Sequence, residues 1–263
     1  MNYLDKIIAS KKEELVSEKL VRSLADVRSM ARDAKPTLPF AQSIRERNGI
    51  IAEFKRKSPS KGMIHPGDIY PRNVVPYYEE AGVSAVSVLT NKQWFGGELS
   101  DLQEASSCLG IPALRKEFII DPYQVYEARA FGASAMLLIA AVLDVHQAED
   151  LAGLAKELGL EVLMELHGED EFGYMVDGVT VAGINNRNLK TFEVDLNHSI
   201  KMANMLPSEL PKISESGIRT IDDMLKLKSE GGFDGFLIGE NFMREQNPGK
   251  ACIDFCKRYR DAQ

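Results

Sequence analysis

Glu53 and Lys55 stand two residues apart at the end of the apolar, β-prone run 50–55, so on a strand they share one face. Ser58-Pro59-Ser60-Lys61-Gly62 then ends the run in a polar loop. Taken alone, the pair reads equally well as a surface ion pair on an edge strand, which is worth little. Other strand-like runs carry similar residues near their C-terminal ends: Lys116, Glu165, Asn185 followed by Arg187, Glu215-Ser216-Gly217, and Gly239. Interiors of parallel strands are normally apolar, so polar groups arriving from five strands point to a wet or liganded mouth. Glu53, Lys55, Lys116 and Glu165 supply acids and bases whose pKa values neighbours can drive apart. A lysine kept charged by carboxylates can protonate a carbonyl or a departing hydroxyl. Ser216-Gly217 and Gly239-Glu240-Asn241 suit phosphate, because glycine lets backbone N–H groups approach an anion. The competing account of those two segments is a pair of ordinary turns.

The elements that must position these residues alternate. Strand-like runs fall at 50–55, 85–90, 113–119, 135–140, 161–167, 180–185, 211–216 and 235–239. Helix-like runs fall near 71–81, 98–108, 122–131, 146–158, 169–176, 196–205, 220–229 and 248–260. Asp121 before Pro122 is an N-cap signal, and Gly82, Gly132, Gly159 and Gly231 stand where helices should stop. Pro76 is the misfit, inside the 71–81 run. Eight strand-then-helix units specify an α/β fold, the (β/α)8 TIM barrel. A doubly wound sheet is the alternative, but no strand ends in Gly-x-Gly-x-x-Gly or a P-loop. Ahead of the first strand, residues 3–20 form an amphipathic pattern, with Leu4, Ile7, Ile8 and Leu15 on one face and Lys11, Lys12, Glu13 and Glu14 mostly elsewhere. Ser23 with Asp26 opens a second helix, and Pro36 and Pro39 break the chain. Residues 1–263 are therefore expected to be one barrel domain, of which 1–45 is an N-terminal helical extension.

The 263 residues are 44% hydrophobic and 27% charged, with a formal net charge of −7. That balance argues against a general nucleic-acid or membrane surface but allows a local basic pocket. Cys108, Cys252 and Cys256 form no CxxC, and His65, His146, His167 and His198 are scattered without metal-ligand spacing, so no metal is expected. No apolar run approaches a membrane span and no signal-peptide core opens the chain, so a reducing, cytoplasmic setting is the expectation.

Nearly the whole chain resembles the indole-3-glycerol phosphate synthase family of tryptophan biosynthesis. The resemblance rests on Glu53-Phe54-Lys55-Arg56-Lys57-Ser58-Pro59-Ser60-Lys61-Gly62, Leu114-Arg115-Lys116-Glu117-Phe118-Ile119, Met164-Glu165-Leu166-His167, Ile184-Asn185-Asn186-Arg187-Asn188-Leu189, Glu215-Ser216-Gly217 and Leu237-Ile238-Gly239-Glu240. It implies a carboxy-lyase that closes, decarboxylates and dehydrates 1-(2-carboxyphenylamino)-1-deoxy-D-ribulose 5-phosphate, with no cofactor and no metal. By the same resemblance, Lys116 is the general acid of ring closure and Glu165 the general base of dehydration. Lys55 meets the substrate carboxylate and can protonate the departing hydroxyl. Glu53 orients the lysines, Asn185 positions the reacting centre, and Ser216 supports a hydroxyl. Arg187 approaches the anthranilate carboxylate. Ser58, Gly217, Gly239 and Glu240 hold phosphate, while Phe95, Phe118 and Leu189 surround the ring and Glu215 completes the substrate-binding set. The N-terminal helices cover the mouth and exclude water.

The chain departs from the family pattern at Asn91, where an acidic residue is usual, at Trp94-Phe95, at Ile213-Ser214, and at Asn241-Phe242 after Glu240. Two alternatives stay open at this point: a ketose-phosphate aldolase using a Schiff-base lysine, and an inactive barrel that binds a phosphorylated ligand. The expected partner is a phosphorylated small molecule, with no nucleic acid and no membrane; association with other enzymes of the pathway is left open.

Overall fold

The computed structural model describes residues 3–59, 61–65, 67–188 and 193–263. Eight parallel strands close a barrel: β1 (Ile50–Phe54), β2 (Ala85–Leu89), β3 (Ala113–Lys116), β4 (Ala135–Ile139), β5 (Glu161–Leu166), β6 (Val181–Asn185), β7 (Lys212–Glu215) and β8 (Gly235–Ile238). Each strand pairs with its sequence neighbours, and β8 returns to β1. The sequence-predicted TIM barrel is thus the observed fold. Alternation decides what each strand offers. In β1, Ile50, Ala52 and Phe54 turn outward into the large cluster beneath the helices. Ile51 turns inward, where it packs with Leu114, Leu163 and Ile213. Glu53, Lys116, Glu165 and Glu215 are the next inward positions on β1, β3, β5 and β7. Alternate strands therefore supply each layer of the interior, first apolar and then charged.

Among the described residues twelve α-helices accompany the strands. Before the barrel come α1 (Tyr3–Val21), α2 (Leu24–Asp33) and α3 (Phe40–Glu46); between strands lie α4 (Val75–Glu80), α5 (Lys92–Phe95), α6 (Leu99–Cys108), α7 (Pro122–Ala130), α8 (Val145–Glu157), α9 (Leu196–Ala203) and α10 (Ile221–Gly231). After β8 come α11 (Glu240–Met243) and α12 (Pro248–Asp261). Among these helices none is long and apolar enough to cross a membrane. Pro76 is no interruption: a 3-10 turn, Pro71–Asn73, precedes α4, so the proline falls in that helix's first turn, where its missing N–H costs nothing. The run at 169–176 is the 3-10 helix Glu169–Tyr174 rather than an α-helix. Gly232, not Gly231, takes the left-handed cap of α10.

The three leading helices do not form one cover. Leu4 and Ile7 of α1 reach the C-terminal mouth. α2 packs along α7, with Val27 against Tyr123 and with Leu15 of α1 in the same small cluster. α3 instead plugs the opposite, N-terminal end, where Phe40 and Ile44 enter the barrel interior. Glu161, the first residue of β5, accepts from the Phe40 N–H at 2.6 Å and the Ala41 N–H at 3.0 Å. These bonds satisfy the exposed start of α3 across the barrel rim. Lys11 also departs from the expected pattern. It follows Ile7 and precedes Leu15 at helical spacing, is buried, and pairs with the buried Glu117 at 3.1 Å. A lysine can occupy an apolar seam when a carboxylate waits at its end.

Candidate active site

The C-terminal ends of the strands enclose a cavity of about 310 Å³. Lys116 stands at its centre. Its ammonium donates to Glu215 Oε2 at 2.6 Å and to Glu165 Oε2 at 3.1 Å. Neighbouring registers deliver these groups to one level: Leu89 faces Lys116, Ile139 faces Glu165, and Asn185 faces Glu215. Asn185 Nδ2 donates to Glu165 Oε1 at 3.1 Å. At the end of β1 the expected pair forms: Lys55 Nζ, one residue past the strand, lies 2.6 Å from Glu53 Oε1. Two glycines make room for the carboxylates. A Cβ on Gly183 would collide with Glu215 Oε1, and one on Gly239 would lie 2.6 Å from Glu53 Oε1.

The charges push one another apart. Burial alone would neutralise Lys116, but Glu215, Glu165 and Glu53 outweigh it and hold the ammonium well above the usual lysine range. Burial likewise opposes ionisation of Glu165, yet Lys116, His167 and Asn185 overcome it and keep this carboxyl well below the ordinary carboxylate range. Glu215 goes the other way. Burial raises its pKa to about 7, Lys116 opposes that rise, and Glu165 and Glu53 add to it. Glu215 Oε1 is buried with no hydrogen-bond partner among the described residues. One carboxylate beside Lys116 is therefore firmly ionised while the other takes up a proton readily, the separation that acid–base chemistry requires.

The walls are of two kinds. Phe95 and Phe118 form an aromatic wall, ring centroids 6.3 Å apart, above a floor that includes Leu137, Ile139 and Leu237. Across the cavity lie Ser58, Ser216, Gly217, Gly239 and Glu240, with Arg187 also on the lining. Ser216 is the one described non-glycine residue with positive φ, at 68°, and Gly217 follows at 71°. Asn186 Nδ2 holds this turn through the Ser216 carbonyl at 2.6 Å. α11, a single short turn of helix, begins at Glu240 directly after β8. Leu189 lies outside the described residues.

Several contributors were not anticipated. Arg219 and Arg244 line the rim on the glycine side. Lys61 reaches Glu240 at 2.5 Å across the mouth. Asn91 uses both ends of its amide: Oδ1 accepts from the Trp94 N–H at 2.9 Å, capping α5, and Nδ2 donates to Glu117 Oε1 at 3.2 Å. A neutral amide serves there because an acid beside the buried Glu117 would add a second negative charge. His167, apparently one of four scattered histidines, lies 3.2 Å from Glu165 Oε1. Its position two residues beyond Glu165 on the same strand face was the available signal. Among the described residues no group of three or more His, Cys, Asp or Glu is arranged to hold a metal ion.

Fold and mouth together define a (β/α)8 barrel built for acid–base chemistry, with an aromatic wall and an anion-suited rim. A family model described as indole-3-glycerol phosphate synthase matches residues 4–255. Proteins of that name from Bacteroides thetaiotaomicron (42% identical, covering 97% of both chains) and Chromobacterium violaceum (41% identical, 94% of this chain and 95% of that one) are similar along their lengths. The chain belongs to the indole-3-glycerol phosphate synthase family. Solved structures of a thiamine phosphate pyrophosphorylase from Pyrococcus furiosus (TM-score 0.56, 15% identity, 81% of this chain and 95% of that one) and of tryptophan synthase subunit alpha from Legionella pneumophila (TM-score 0.57, 12% identity, 90% and 97%) share the fold.

Proposed function

We infer that this protein converts 1-(2-carboxyphenylamino)-1-deoxy-D-ribulose 5-phosphate into indole-3-glycerol phosphate, carbon dioxide and water, a carboxy-lyase step of tryptophan biosynthesis. The observation that supports it most is the Lys116 ammonium held between Glu165 and Glu215 beneath the aromatic wall. The ring carbon bearing the carboxylate attacks the ketone, and Lys116 Nζ gives the carbonyl oxygen its proton. The bond to the carboxylate then breaks, carbon dioxide leaves, and the electron pair restores the aromatic ring. In the second half the new hydroxyl departs as water with a proton from Lys55. Glu165 accepts a proton from the carbon beside the nitrogen, completing the indole. Glu53 pairs with Lys55, Asn185 fixes the Glu165 carboxylate, and Glu215 balances the Lys116 charge. Arg187 faces the anthranilate carboxylate, and Phe95 and Phe118 stand against the ring. Ser58, Ser216, Gly217, Gly239 and Glu240 form the side that takes the ribulose phosphate, Ser216 by a hydroxyl contact and the others at the phosphate.

We read residues 1–263 as one domain whose first helix helps to exclude water from the mouth. Three cysteines outside any disulfide are consistent with a reducing cytoplasm. Schiff-base chemistry would need Lys116 neutral, whereas three carboxylates favour its ammonium. Indole fluorescence on adding the substrate to the purified protein tests the proposal. A rising signal that Lys116→Ala abolishes is the expected result. Absence of signal from a folded wild-type protein that still binds the substrate would overturn it, and a borohydride-trapped adduct on Lys116 would replace it with aldolase chemistry.

A further inference from the structure

His167 has no part in the reaction as written, yet its side chain is only 12% exposed and wedged between two carboxylates. Nε2 lies 3.2 Å from Glu165 Oε1, and Nδ1 lies 3.6 Å from Glu171 Oε2. That same Glu171 oxygen accepts the His167 backbone N–H at 2.6 Å, so the 3-10 helix after β5 holds the main chain and sets a carboxylate beside the ring. Neither ring nitrogen has a hydrogen-bond partner among the described residues, so what the two carboxylates offer this ring is charge, which favours the imidazolium over the neutral ring.

We propose that His167 is a positioning residue: as an imidazolium lying between Glu165 and Glu171, it keeps Glu165 ionised after Lys116 has given up its proton. The need arises from the order of events and rests on the role proposed above for Glu165. At rest, Lys116 is the main cation beside Glu165. Once that proton moves to the substrate carbonyl, Glu165 loses its principal counter-charge before the step in which it must act as a base. Asn185 supplies a hydrogen bond but no charge. His167 supplies the charge and is not spent in the reaction.

The surroundings favour the charged ring. Burial works against it, but Glu165 and Glu171 prevail and raise its pKa to about 10. From α9, His198 Nε2 lies 3.2 Å from the His167 carbonyl, and Lys201 is already engaged by Glu169 at 2.6 Å. Lys116 and Glu215 act on His167 through Glu165.

Two measurements test this. In wild-type protein labelled with 15N, both His167 nitrogens should be protonated at pH 8, a readout that needs no variant to fold except His167→Asn for assignment among four histidines. A neutral tautomer there overturns the proposal. In kinetics from pH 5 to 10, His167→Asn should lower kcat about tenfold with KM within about twofold. It should also move the acid limb of the kcat profile up by about one pH unit, with Glu171→Gln moving it less in the same direction. A folded His167→Asn with the wild-type profile, or with only KM raised, overturns it. Glu165→Gln separates the two levels: if that variant keeps wild-type activity, the role of Glu165 itself fails; if it is inactive while His167→Asn is unaffected, only the present inference fails.

Discussion

The two ends of this barrel are made by the same strands and differ in one step along each of them. Near the N-terminal end, Ile51, Leu114, Leu163 and Ile213 form an apolar layer closed by Phe40 and Ile44 of α3. One inward position further on, those strands carry Glu53, Lys116, Glu165 and Glu215. The first layer gains stability by removing apolar surface from water. The second costs desolvation, offset only by how the charges meet one another. Stability and chemistry are thus separated by position along the strand, and substitutions at the two ends should fail in different ways.

The largest difference is expected at Lys116. Lys116→Ala should lower kcat by about 100- to 10,000-fold while circular dichroism still reports a folded barrel, because Glu165 or Glu215 can take up a proton to replace the lost charge. A variant that kept near-wild-type turnover would break the contrast at its strongest point. Phe40→Ala should do the converse. Loss of a fully buried ring from the plug is expected to cost about 3–5 kcal/mol in urea unfolding, with kcat of the folded fraction unchanged. A large fall in kcat would mean that the base is coupled to the mouth.

Dependence on pH should belong to the mouth. His167 acquires its carboxylate neighbours on folding, and its pKa rises from 6.5 to about 10. Its stabilising contribution is therefore complete below pH 6.5 and fades as the pH climbs to 10. Urea midpoints of wild type should fall relative to those of His167→Asn across that window, and parallel curves would contradict the assignment. The smallest effect is expected at Ser216, whose φ of 68° strains an ordinary residue. Ser216→Gly should raise stability by no more than about 1 kcal/mol, the relief of strain less the entropy glycine adds to the unfolded chain. It should lower kcat/KM through the lost hydroxyl, and unchanged kinetics would remove Ser216 from the proposed site.

Much of this was legible in the residues. The count of strand-then-helix units, the Asp121-Pro122 start of α7 and the Ser23–Asp26 capping box are local signals, and each appears where it was expected. Glu53 and Lys55 meet because a pleat repeats every second residue. Other features could not be read locally. α3 lies between prolines and strand without a strong periodic pattern, and its place under the barrel depends on Glu161, far along the chain. Lys11 looked like a solvent-facing lysine until Glu117 gave it a buried partner. His167 looked isolated because its meaning comes from Glu165 and Glu171, which only the strand and the following turn aim at it.

By itself the amino-acid sequence determined the barrel and the residue types that reach the mouth. Periodicity and capping are short-range properties, written in neighbouring residues. Tertiary structure alone decided which carboxylate Lys116 would hold closest, that burial would raise the Glu215 carboxyl while Lys116 and His167 hold Glu165 low, and that the leading helices would divide between mouth and base. Those outcomes depend on distance and burial among groups contributed by different strands, because charge acts through space and desolvation is set by everything that surrounds it.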